Sequence, residues 1–284
     1  MDAKDMAELQ LCVDRVLPQD LQREASERAR DEAERNVPDS SLLQDVLQRA
    51  DIAHPEALVM LTGKKWRTGR TLNVYFMDGP EWARVKAFEL LARWGKQANL
   101  KYQRTNDRAA SQCRITFERG GSWSYLGTDN LAIPKDQPTL QLGWLVDGQR
   151  NIANDVEWQR TTVHEGGHFI DFVHEQAHPR RGFEFNRDAV IDKYSGPPNN
   201  WSVSTIERQV LYKYSELNTN FSEYDKGSIM HYPIPAALVM DPADAVGWNT
   251  SRSRLDKRTA ALWYPKPSLQ VVIDSAVEAF DKVA

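Results

Sequence analysis

From residue 71 onward the chain switches between two hydrophobic periods. Thr71-Leu-Asn-Val-Tyr-Phe76 alternates apolar and polar positions among strand-forming residues, which predicts a half-buried strand. Pro80 to Ala98 carries Trp82, Val85, Phe88 and Leu91 at helical spacing, which predicts a helix with those four on its buried face. Cys113-Arg-Ile-Thr-Phe117 and Thr139-Leu-Gln-Leu142 predict two more strands, and Gly120 to Gly127 a further one bounded by glycines. Asn154, with Glu157 three residues on, has the spacing of a capping box and predicts the start of another helix. Strands and helices mix without regular alternation, so the expected fold class is α+β.

The first sixty residues follow another pattern. Leu21, Ala25, Ala29 and Ala33 recur among charged neighbours, and Asp39-Ser40-Ser41 can cap a second short helix ahead of Leu42; Pro18 and Pro38 punctuate the stretch. This region holds 14 acidic and 7 basic side chains, a balance of −7, whereas the remainder carries +3. Two readings follow: a solvated helical extension, or an inhibitory or guiding segment lying over the rest of the molecule. At the other end, Ser268 to Ala284 predicts an amphipathic helix with Val271, Val272, Val277 and Phe280 on one face. The expected organisation is an acidic extension over 1–60, a catalytic-type domain over 61–265 and a helical tail over 266–284.

Composition narrows the possibilities. With 284 residues, 41% hydrophobic and 27% charged, the chain can bury a sizeable core. No apolar run approaches the roughly 18 residues of a membrane span, and a net charge of −4 supplies no electrostatic reason for nucleic acid to bind. Neither membrane nor nucleic acid is therefore expected as a partner, and no pattern sets an oligomeric state. Two cysteines, Cys12 and Cys113, exclude a disulfide framework. The opening residues begin no apolar stretch, so a cytoplasmic product is expected, or one exported by a leaderless route.

The chemistry lies in Thr162-Val-His-Glu-Gly-Gly-His-Phe-Ile-Asp-Phe-Val-His-Glu-Gln-Ala-His-Pro179, which holds four of the six histidines. On a helix, His164 and His168 project from one face and can share a metal ion. Glu165 follows the first ligand, where a carboxylate can reach water held by the ion without binding the ion itself. A third ligand one turn further along a straight helix would overshoot, so the helix must end soon after His168 and turn back to present His174. Such a turn normally uses a glycine with positive φ. Asp171 stands there instead; aspartate tolerates this conformation at about 1 kcal/mol. Gly166 and Gly167 each cost about 1 kcal/mol in a helix, which points to close packing behind the site.

His164-Glu-x-x-His168-x-x-Asp-Phe-x-His174-Glu175 resembles the extended zinc signature of the metzincin peptidases, and Phe172 with Glu175 makes it similar to the astacin branch. Tyr224-Asp-Lys-Gly-Ser-Ile-Met-His-Tyr232 resembles the Met-turn of that family, and Gly121-Ser-Trp-Ser-Tyr-Leu-Gly127 its cleft-rim strand. His174 to Pro179 and Val246-Gly-Trp-Asn-Thr250 are more similar to its microbial members. The resemblance implies a two-lobed zinc endopeptidase. Its N-terminal lobe would hold a twisted mixed sheet and a long active-site helix, and its C-terminal lobe would be mostly irregular. It further implies zinc on His164, His168 and His174, Glu165 as general base, Met230 beneath the metal and Tyr232 as oxyanion donor. An extended protein or peptide substrate would pair with the strand around Trp123, Ser124 and Tyr125. Activated members bury a new N-terminus near the glutamate that follows the third histidine, here Glu175.

Other readings stay open at this level. A metzincin-like binding protein with a structural zinc would share these motifs, and Asp171 favours it; a zinc hydrolase of non-peptide substrates is a third reading. Asp171 itself is expected to bond locally to the backbone. Tyr232 could be only a packed aromatic; His178 and His231 read as surface or supporting groups, His54 as solvated, and Trp66 and Trp144 as core. Cys12 sits in an apolar island, Leu11-Cys-Val-Asp-Arg-Val-Leu-Pro18. Its thiolate is a candidate latch on the metal, with Asp14 as a second candidate and a buried or idle thiol as the plain reading.

Overall fold

Five strands form a mixed sheet: β1 (Thr71–Phe76), β2 (Lys101–Arg104), β3 (Cys113–Thr116), β4 (Ser122–Ser124) and β5 (Leu140–Leu142). Their order is β2-β1-β3-β5-β4. β1 pairs in parallel with β2 and β3, β3 pairs in parallel with β5, and only β4, at the edge, runs antiparallel. In β1 the predicted alternation appears directly, with Leu72, Val74 and Phe76 buried between half-buried neighbours. β4 is shorter than the stretch from Gly120 to Gly127 suggested, because Gly127 turns at φ 41° into a 3₁₀ segment, Gly127–Leu131. A hairpin of β6 (Val146–Asp147) and β7 (Arg150–Asn151) precedes the helix that carries His164 and His168. This computed structural model describes residues 11–13, 15–36, 63–214 and 223–268. The short helix ahead of Leu42, His54, Asp14 and nearly all of the C-terminal tail lie outside them.

The described helices are α1 (Gln22–Glu32), α2 (Glu81–Leu91), α3 (Asp155–Phe169), α4 (Arg187–Ser195), a short turn over Val203–Ile206, and α5 (Arg254–Trp263). α2 corrects the sequence expectation twice. It gives way to a 3₁₀ turn at Ala92, and its buried face is Ala83, Ala87, Leu90 and Leu91, while Trp82 and Val85 are exposed. Small alanines let α2 lie close to α3, whereas Trp82 reaches sideways to meet the Trp158 ring edge-on at 5.8 Å.

Two apolar clusters flank the histidine motif. The larger joins the sheet to α2, α3 and α5 through residues such as Leu72, Ile115, Trp94, Trp158 and Tyr264. The second gathers Phe183, Val190, Tyr194, Ile206, Ile234 and Val246 from the C-terminal half, where 223–253 is largely irregular. Sheet, long helix and irregular half match the α+β, two-lobed expectation. A third, smaller cluster sets Leu17 and Ala25 of the extension on Trp123, Tyr125, Ala132 and Ile133. The extension is thus packed on the body of the protein over its described residues.

Candidate functional site

α3 begins where Asn154 Oδ1 accepts the Glu157 backbone N–H at 2.8 Å. The return half of a capping box is not made; the Glu157 carboxylate instead takes Arg160, Thr161 and the Trp144 indole. At its far end the helix closes with Asp171 N–H on the His168 carbonyl at 2.9 Å and Phe172 N–H on the Gly167 carbonyl at 2.9 Å. Asp171 adopts φ 75°, the left-handed conformation the turn requires. Its carboxylate does not bond locally as expected. It accepts the distant Lys64 backbone N–H at 3.4 Å and faces Lys65 Nζ at 3.7 Å. The turn is therefore formed without glycine, which removes the main sequence argument for a distorted site.

The turn brings His174 back to the helix. The Nε2 atoms of His164, His168 and His174 lie 3.2, 3.2 and 3.1 Å apart, and all three rings are buried. Nitrogens around one tetrahedral ion at about 2.05 Å would be roughly 3.3 Å apart, so the triangle has the size a zinc ion needs. Orientation is set from behind. His164 Nδ1 donates to the Ile229 carbonyl and His168 Nδ1 to the Phe172 carbonyl, both at 2.8 Å, which leaves each Nε2 lone pair facing the shared point. Burial, reinforced by the two neighbouring rings, holds the His164 pKa well below its ordinary value, so the imidazole is neutral and available as a ligand. Among the described residues, one group could hold a metal: Cys12, His164, His168 and His174, with ligand atoms within 4.8 Å of one another.

Cys12 Sγ thus lies within 4.8 Å of the three histidine ligand atoms. Its thiol donates to Glu165 Oε2 at 3.3 Å, and its carbonyl accepts the Tyr232 hydroxyl. Glu165 is fully buried and Tyr232 nearly so. Next to Cys12, Val13 N–H meets the Ser122 carbonyl on the edge of β4 at 3.3 Å, while Arg15 lies over the Trp123 ring. Trp123, Ser124 and Tyr125 are all buried under this cover. Leu11 and Cys12 line a pocket with Trp144, Arg160, Glu165, Tyr232 and Trp248. Trp144 packs half-buried against the larger core, as expected, and also borders this pocket; Trp66 is fully buried, as expected.

Met230 is buried, with 1% exposure, against Gly167 of the histidine motif. A β-carbon on Gly167 would fall 2.3 Å from its sulfur, and one on Gly166 would fall 2.9 Å from Leu91 Cδ1. Close packing is thus the reason for the paired glycines. His178 and His231 are buried rather than at the surface. His231 Nδ1 donates to the Tyr232 carbonyl at 2.6 Å and Nε2 accepts the Tyr224 hydroxyl at 2.8 Å. Burial pushes the His231 pKa down to about 4 and the Glu175 carboxyl up to about 8, where Glu175 accepts the Asp225 N–H at 2.8 Å.

Sequence reasoning missed Asp256. Its carboxylate accepts Ser228 Oγ at 2.6 Å and the backbone N–H groups of Ile229 and Ser253, each at 2.8 Å. It ties the Met-turn to the start of α5 and thereby sets the Ile229 carbonyl that orients His164. The Ser253-x-x-Asp256 capping-box spacing was the available signal.

No protein-family model matches the chain. Its structure is similar to that of myroilysin, with a TM-score of 0.68 and 34% identity, covering 72% of this chain and 97% of that one. High choriolytic enzyme 1, a hatching enzyme zinc-protease from the medaka Oryzias latipes, shares the fold at a TM-score of 0.51 and 16% identity, over 72% of this chain and 96% of that one. In sequence, blastula protease 10 of Paracentrotus lividus is 30% identical over 144 residues, which are 49% of this chain. The chain spans 20% of that relative's length.

Proposed function

This chain belongs to the astacin-like metallopeptidases, and from that premise we propose that it is a zinc-dependent endopeptidase in a latent form. The observation that carries the reading is the triangle of three buried imidazoles, with Glu165 one residue from the first and the Tyr232 ring 4.4 Å from that of His174. His164, His168 and His174 would hold the ion. Zinc, when bound, polarises a carbonyl oxygen and lowers the pKa of water to about 7.

The chain's own residues supply the rest. Glu165 is the base: its buried carboxylate takes a proton from the attacking water and passes it to the departing amine nitrogen. The Tyr232 phenol donates to the carbonyl oxygen as negative charge develops on it. An extended polypeptide would occupy the edge of β4 by strand addition, the edge that Val13 meets in this form. Met230 gives the triad an apolar floor. Protein or peptide is accordingly the proposed substrate class.

Latency follows from the same positions. The Cys12 sulfur lies within 4.8 Å of the three imidazole nitrogens, within reach of a fourth-ligand position, its thiol engages Glu165, and its carbonyl engages Tyr232. Base, oxyanion donor and open ligand position are all taken by one residue of the extension. The binding-protein reading drew on Asp171, and the left-handed turn at that residue removes its support.

The test is casein digestion by the protein before and after removal of the extension, with and without a chelator. Chelator-sensitive cleavage that Glu165→Gln lowers by about three orders of magnitude is expected. Cleavage that survives both treatments, or none after the extension is removed, would sink the reading.

A further inference from the structure

We propose that a second anchor, far along the extension from Cys12, keeps residues 11–36 docked after the backbone between residues 36 and 63 is cut. The released segment would then act as a bound inhibitor in trans. This rests on the latent-peptidase reading, but on different residues.

The anchor is the end of the extension's helical part. Asn36 is fully buried. Its Oδ1 accepts the Lys65 backbone N–H at 2.9 Å, and its Nδ2 donates to the Lys65 carbonyl and the Ala29 carbonyl, both at 2.8 Å. A carboxamide that takes both backbone groups of one residue imitates the pairing of a neighbouring strand. Arg35 donates to the Trp66 carbonyl at 2.7 Å and to the Trp263 carbonyl, with its guanidinium over the Tyr264 ring. Glu32 accepts the Arg67 backbone N–H at 3.2 Å and pairs with Arg70 at 3.5 Å. Three side chains of the extension thus read the backbone of three consecutive residues, Lys65 to Arg67.

That backbone is held by the catalytic body. The Lys64 carbonyl accepts Thr128 N–H at 2.8 Å, and Lys64 Nζ pairs with buried Asp129 at 2.5 Å. Asp171 faces Lys65, and the Trp66 indole donates to the Phe169 carbonyl at 2.7 Å. Residues 63–67 would therefore stay in place after a cut upstream of them and go on presenting the same hydrogen-bonding groups. Between this anchor and Cys12, Leu17 and Ala25 pack on the rim of β4. Buried hydrogen bonds and apolar contact would all have to break before the segment leaves, so a cut alone does not open the cleft.

The experiment uses full-length protein with a recognition sequence for a site-specific protease inserted between residues 50 and 51. After complete cutting, the two fragments are followed by size-exclusion chromatography with mass detection, and peptidase activity is read in parallel. We expect co-elution at micromolar concentration with activity still suppressed, both relieved by dilution. Asn36→Ala with Arg35→Ala should speed fragment loss at least about tenfold. Asn36→Asp, which keeps the size but cannot donate to the Lys65 carbonyl, should act in the same direction. Cys12→Ala should raise the activity of the cut complex without releasing the fragment. Immediate separation of the cut wild-type protein, or retention in the Asn36 variants equal to wild type, would overturn the proposal. Co-elution without activity in any form would uphold the anchor and sink the peptidase reading.

Discussion

The sulfur of Met230 occupies the space into which a side chain on Gly167 would grow: a β-carbon there would come within 2.3 Å of it. The second glycine of the helical motif is thus required by close packing against Met230. Gly167→Ala gains about 1 kcal/mol of helix propensity but overpacks a buried contact at about 1–3 kcal/mol. The variant should be less stable in denaturant titration. Adding Met230→Ala should recover part of the loss through a favourable coupling, as neighbouring residues in contact show. Purely additive effects would mean that the two residues do not share that space.

Cys12→Ala should activate the uncut chain. With the sulfur gone, the fourth position and Glu165 are both uncovered, although the anchor at Asn36 still holds the extension nearby. An increase of about tenfold in hydrolysis of a fluorogenic peptide is expected before any processing. Metal content by elemental analysis should not change, since three imidazoles remain. Unchanged activity would remove Cys12 from the latch.

Asp171 separates two effects that usually coincide. Asp171→Gly relieves the left-handed backbone but loses the contacts with Lys64 and Lys65; Asp171→Ala loses the same contacts and adds strain. The alanine variant should therefore be the less stable of the two by about 1 kcal/mol in chemical unfolding. Equal stabilities would show that backbone strain at this turn is negligible.

Acid should destabilise the protein through His231. Folding lowers the pKa of this residue from 6.5 to about 4, so between those values the unfolded chain binds more protons than the folded one. Its contribution is complete above pH 6.5 and is lost as pH falls toward 4, with a total on the order of 3 kcal/mol. Glu175, raised to about 8, tilts stability the opposite way between pH 4.5 and 8, so a comparison with His231→Asn is needed to isolate the histidine. Asparagine keeps a donor for the Tyr232 carbonyl and does not titrate. The wild-type minus variant stability difference should shrink steadily from pH 6.5 to 4; a flat difference would refute the buried neutral imidazole.

What could be read without coordinates was whatever depends on spacing along one element. Helical period places His164 and His168 on one face, the overshoot argument demands a turn before His174, and strict alternation marks β1. These follow from local backbone geometry, which a short window of residues contains. The buried face of α2 could not be read this way: both choices fit a helical period, and contact with α3 selected the alanines. The distant partners of Asp171, Asp256 and Asn36 were equally illegible. Each is a polar side chain with at least one hydrogen bond to backbone 27 to 107 residues away. The sequence by itself determined which three histidines can converge and the need for a turn between them. Tertiary structure alone decided that Cys12 reaches Glu165 across 153 residues and that the extension lies in the cleft. Such pairings come from which surfaces bury each other, and no local period encodes that.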